Sequence, residues 1–120
     1  MNLTQTAQAM MAPGKGLIAM DESTGTCNKR FAKIGIPQTV DMHRAYREMI
    51  VTTPNFGKSI SGAILFDETI RQSLSTGQTF VEALNRVGVI PGIKVDEGAK
   101  DLPGFANEKL RADNVYLTAW

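Results

Sequence analysis

The sequence predicts an α/β fold built on a parallel sheet. Three short apolar runs, at residues 16–20, 62–66 and 89–96, each end in charged residues, which suits strands whose functional ends carry polar chemistry. Between them lie stretches whose apolar positions recur at helical spacing. Strand and helix alternating in this way build βαβ units with right-handed crossovers onto one sheet.

Taken in order, Leu3, Ala7, Met10 and Met11 form an apolar stripe stopped by Pro13-Gly14, which predicts a short leading helix on the outside of the body. Residues 16–20 are nearly all apolar between glycine and Asp21, a pattern expected of a first strand buried on both faces. Cys27, Phe31 and Ile34 then fall at i, i+4 and i+7, with Ser23, Thr24 and Thr26 available as caps and Gly35 as the stop. A second stripe of Met42, Ala45, Tyr46, Met49 and Ile50 follows Thr39 as cap, leaving Arg44, Arg47 and Glu48 on the expected wet side. Residues 62–66 form the second strand, closed by Asp67-Glu68 and followed by polar helical character. Thr79 and Glu82 have capping-box spacing ahead of Phe80, Ala83, Leu84 and Val87. Residues 89–96 form the third strand, with Pro91 near its start, where a missing N–H does least harm. From Glu97 to about Lys109 the Gly, Asp, Pro and Asn content predicts a loop.

With 120 residues and 42% hydrophobic content, the chain has the size of one globular domain or a piece of one. Thirteen basic against twelve acidic residues, with no run of one sign, give no electrostatic footprint for nucleic acid. No apolar run spans a bilayer, and residues 1–12 lack the pattern of a signal peptide, so no membrane partner is expected. One cysteine, Cys27, makes no internal disulfide and is expected to be a small core residue in a protein of a reducing compartment. His43, the only histidine, is expected on an exposed flank, and the shortage of nitrogen and sulfur ligands argues against a zinc site.

Ligands of α/β proteins gather at the carboxyl ends of the strands, which points to Asp21, to Asp67-Glu68, and to Lys94 with Asp96. Alternate strands of a barrel contribute to one interior layer, so Asp21 and Lys94 are expected to meet there, either to position a polyhydroxylated substrate and move protons or as a structural ion pair. A doubly wound sheet is the competing architecture, and the strand pattern alone does not choose. Ser23, Gly25 and Thr26 at a helix start, with Lys29 and Arg30 close behind, suit a phosphate, ordinary capping being the alternative. There is no GxGxxG and no GxxxxGK[ST], so a nucleotide fold has no motif behind it.

The runs LIAMDESTGT at residues 17–26 with Lys29-Arg30-Phe31, RAYRE at 44–48, Thr52-Thr53-Pro54, SGAILF at 61–66 and PGIKVD at 91–96, in that order, closely resemble class I fructose-bisphosphate aldolase. The resemblance implies a (β/α)8 TIM barrel, of which only the leading helix and first three β-strands with their helices are present. It implies aldol cleavage of fructose 1,6-bisphosphate to dihydroxyacetone phosphate and glyceraldehyde 3-phosphate through a lysine Schiff base, with no metal and no cofactor. Asp21 and Lys94 match the family's active-site aspartate and lysine of the first and third strands, while Ser23, Thr26, Lys29 and Arg30 match phosphate-handling positions. Thr26 stands where serine is frequent. The resemblance covers residues 1–109; residues 110–120 do not resemble the family's continuation and are expected to be a divergent tail. The Schiff-base lysine belongs to later strands and is absent from this chain, so isolated activity is expected to be absent. A sugar phosphate is the implied small-molecule partner, in a cytoplasmic or plastid enzyme that is a homo-oligomer at full length. The alternative is a non-enzymatic truncated module that binds a sugar phosphate or a partner.

Overall fold

A computed structural model describes residues 1–113, with side chains through residue 110. Most of the tail expected at residues 110–120 lies outside the described residues.

The leading helix α1 (Leu3–Met10) is closed by a capping box in which Asn2 and Gln5 bond each other's backbone N–H. Strand β1 (Gly16–Met20) follows, then α2 (Thr24–Lys33), α3 (Val40–Val51) and the single turn α4 (Phe56–Ser59) before β2 (Ile60–Leu65). After the short α5 (Asp67–Ile70) come α6 (Phe80–Arg86) and β3 (Ile90–Ile93). The three strands form one parallel sheet in the order β1-β2-β3, as expected of successive βαβ units. Ser23, Thr39 and Thr79 each cap their helix through the side-chain oxygen, and the Thr79–Glu82 box is complete in both directions.

The core lies between the sheet and the helices. Ala63 and Leu65, two apart on β2, pack with Met20, Val51, Phe56, Leu74, Phe80, Leu84 and Val89. Gly62 lies under the Leu17 side chain, whose end would have to turn aside for a Cβ placed there at 2.8 Å.

Four expectations are corrected. First, β1 is not buried on both faces: Ile18 and Met20 turn to the core, whereas Leu17 and Ala19 on the opposite face are exposed. Second, α3 turns a different face inward. Its buried residues are His43, Arg47 and Val51, while Met49 is 63% exposed. Third, Ile34 and Val87 end their helices as exposed cap residues instead of closing apolar stripes. Fourth, the segment after Glu97 is not a loop throughout: β4 (Asp96–Asp101) pairs antiparallel with β5 (Lys109–Asp113). The glycines that suggested a loop sit where a hairpin needs left-handed backbone, Gly98 at a register shift and Gly104 in the turn.

Candidate active site

Register brings the first pair of site residues together. Met20, Leu65 and Ile93 lie level across the three strands, and the Lys94 N–H continues the ladder by donating to the Leu65 carbonyl at 2.8 Å. Asp21 and Lys94 are therefore the next residues at one level, on alternate strands, and side-chain alternation turns them away from the face on which Met20 and Leu65 join the core. Two strand spacings separate their backbones by about 10 Å, a gap the long lysine stem spans. The Lys94 ammonium sits 3.5 Å from Asp21 Oδ2 and 3.3 Å from Asp96 Oδ2. All three side chains are about one quarter exposed, so the group is reachable from solvent yet partly desolvated. Asp96 also shapes the backbone, because its Oδ1 accepts from the Gly98 N–H at 3.0 Å and so holds the chain as it enters β4.

The start of α2 forms the second part. Ser23 accepts from the Thr26 N–H at 3.3 Å, and the two hydroxyls lie 3.1 Å apart. Arg30, two turns into the helix, reaches back to Glu22 Oε1 at 2.7 Å. Lys29 is exposed and joins neither pair. Ser23, Thr26, Lys29 and Arg30 thus occupy one helical segment directly after Asp21 and Glu22, at a helix start whose dipole favours negative charge.

Beneath this segment lies a polar network that hydrophobic patterning does not reveal. Arg47 is fully buried; its Nη2 donates to the Glu22 backbone carbonyl, and its guanidinium carbon lies 5.9 Å from the Phe66 ring centroid. Carboxylate oxygens of Glu22 and Glu68 approach it to 3.9 Å and 4.0 Å. His43, also buried, places Nδ1 3.0 Å from Glu68 Oε1 and Nε2 2.7 Å from Asn28 Oδ1. The expectation of Arg47 on the wet side and His43 on an exposed flank is therefore overturned: both are held inward by the acids that follow β1 and β2. The available signal was the spacing, since two polar residues four apart on α3 face carboxylates just after two strand ends. Tyr46 donates to Glu22 Oε1 at 3.3 Å, and burial together with that carboxylate pushes its hydroxyl pKa up. Burial likewise raises the Cys27 thiol, consistent with its place as a core residue.

Among the described residues no group of three or more His, Cys, Asp or Glu side chains is arranged to hold a metal ion, and no helix is long and apolar enough to cross a membrane.

The family model for fructose-bisphosphate aldolase class-I matches residues 2–114. A probable fructose-bisphosphate aldolase class 1 from Xanthomonas axonopodis pv. citri is 58% identical over 106 residues, 88% of this chain and 32% of that protein. The chloroplastic fructose-bisphosphate aldolase 3 of Arabidopsis thaliana is 49% identical over a segment covering 88% of this chain and 27% of its own length. Among solved structures, fructose-bisphosphate aldolase from Plasmodium falciparum, in complex with TRAP and a small-molecule inhibitor, superposes with a TM-score of 0.86 at 42% identity, over 92% of this chain and 32% of that one. The chain thus spans about a third of the length of the relatives it matches. With its parallel α/β strands and a family match over nearly all its length, the chain belongs to the class I fructose-bisphosphate aldolase family.

Proposed function

We propose that this chain is the amino-terminal part, residues 1–109, of a (β/α)8 barrel that cleaves fructose 1,6-bisphosphate to dihydroxyacetone phosphate and glyceraldehyde 3-phosphate through a lysine Schiff base, with residues 110–120 as a divergent tail. The observation that carries the reading is the meeting of Lys94 with Asp21 and Asp96 at the carboxyl ends of alternate strands. In this reading Asp21 holds substrate hydroxyls and passes protons, and Lys94 binds a substrate oxygen or phosphate. Arg30, with Ser23, Thr26 and Lys29, receives the phosphate. Arg30 then exchanges part of its contact with Glu22 for the ligand, an exchange its 59% exposure allows. The covalent lysine is carried by a later strand, as in the family, and this chain supplies binding and proton handling. The full-length enzyme is a homo-oligomer of the cytoplasm or plastid.

Titration of the isotopically labelled chain with fructose 1,6-bisphosphate tests the reading. Amide shifts are expected at Asp21, Ser23, Arg30 and Lys94, with Lys94→Met abolishing those at Asp21. A spectrum unchanged at these four residues would overturn it.

A further inference from the structure

We propose that Arg47 is a positioning residue for Asp21, acting through the Glu22–Ser23 peptide that follows it; the proposal rests on the reading of Asp21 as an active-site acid. Arg47 comes from α3, 25 residues further along the chain, and its guanidinium donates to the Glu22 carbonyl. That carbonyl closes the residue between Asp21 and the Ser23 cap of α2, so a donor fixed there sets the direction in which β1 ends and α2 begins. The remaining Arg47 nitrogens, Nε and Nη1, are buried with no hydrogen-bond partner among the described residues, and Glu22 Oε2 is left in the same condition.

Stability is a poor account of such an arrangement. Burying ions is expensive, and a buried ionic cluster replaced whole by apolar side chains is frequently as stable or more so, so the cluster's presence is not explained by stability alone. What only the guanidinium supplies is a rigid donor held at the Glu22 carbonyl while its charge is balanced by Glu22 and Glu68 on either side, at 3.9 Å and 4.0 Å. His43 braces the same assembly from one turn earlier on α3 by linking Glu68 to Asn28 of α2. The result is a buttress behind the two acidic turns that follow β1 and β2. Asp21, on the opposite side of the β1 turn, keeps its carboxylate aimed at Lys94 because the Glu22–Ser23 peptide, one residue on, does not swivel.

The test is a double-mutant cycle on the complete enzyme made by joining this chain, through its matched residues, to the remaining two thirds of the Xanthomonas relative. Arg47→Met is expected to lower kcat for fructose 1,6-bisphosphate cleavage about tenfold, in the range that an ångström-scale misplacement produces, with KM changed less than about twofold. In an Asp21→Asn background the same substitution is expected to lower kcat no further, because it acts through the missing carboxylate. If Arg47→Met does not fold, Arg47→Lys, which keeps the charge but loses the fork, is carried through the same cycle with the same expectation. Losses that multiply across the two sites, or a rise in KM with kcat intact, overturn the positioning role and leave the site reading standing. An Asp21→Asn enzyme with undiminished kcat overturns both.

Discussion

Gly57 in α4 separates two physical effects by the sign of one measurement. A Cβ built there would lie 2.0 Å from the Val87 carbonyl oxygen and 3.1 Å from its carbon, where ordinary contact starts at 3.4 Å. The obstacle is backbone, so α4 and the end of α6 must part by about 1.4 Å, which lifts the buried Phe56 off its neighbours. Overpacking of this kind costs about 3 kcal/mol. Alanine recovers about 1 kcal/mol of that through helix propensity and a less flexible unfolded chain. Gly57→Ala is therefore expected to be about 2 kcal/mol less stable. With a slope near 2 kcal/mol per molar, that is a drop of about 1 M in the urea midpoint followed by far-UV circular dichroism. Gly25, the second residue of α2, has open space where its Cβ would go, so Gly25→Ala is expected to gain about 0.5–1 kcal/mol. A Gly57→Ala midpoint at or above that of the parent chain would refute the close approach and with it the packing of α4 on α6.

Further outcomes follow from the same contacts. Thr79→Ala removes the α6 capping box and is expected to cost about 1 kcal/mol in the same urea assay, while a Thr79→Ser change keeps it. Glu48 is held below the usual carboxylate range, first by the Ser75 hydroxyl and then by the Ser75 N–H and Arg44, so its contribution is present above the unfolded-chain value and is lost as pH falls through the lowered folded one. Glu48→Gln is accordingly expected to flatten the fall in stability as pH drops below about 5, and an unchanged acid limb in thermal melts at several pH values would count against the linkage. Dihydroxyacetone phosphate with borohydride is expected to leave no stable adduct on the 120-residue chain by mass spectrometry, since the proposed role of Lys94 is to bind substrate and not to form the Schiff base; an adduct mapped to Lys94 would contradict that division of labour.

Much of this fold was legible because its signals are local. Residues 16–20 read as a strand, the caps Ser23, Thr39 and Thr79 read as helix starts, and the Asp21–Lys94 meeting followed from the layering of alternate strands in a barrel. Misreadings arose where burial is decided by partners distant in sequence. Arg47 and His43 are polar by type, yet Glu22 and Glu68 satisfy them in the interior, so a hydrophobic stripe drawn along α3 selected Met49 and missed them. The hairpin of β4 and β5 escaped notice for a related reason: composition counts glycines, whereas their meaning depends on whether they fall in a strand or at its bulge and turn. Leu17, apolar and still exposed, shows that a strand's composition says what it can bury, while the packing against each face decides what is covered.

The central claim is that Lys94 and Asp21, joined across alternate strands, form part of a sugar-phosphate cleavage site. Its most direct test is kcat/KM for fructose 1,6-bisphosphate in the joined enzyme with and without Lys94→Met. The parent is expected to cleave the substrate and the variant to fall by about 10²-fold or more, the loss typical of removing one charge-stabilising group. A folded Lys94→Met enzyme that cleaves within twofold of its parent would contradict the account.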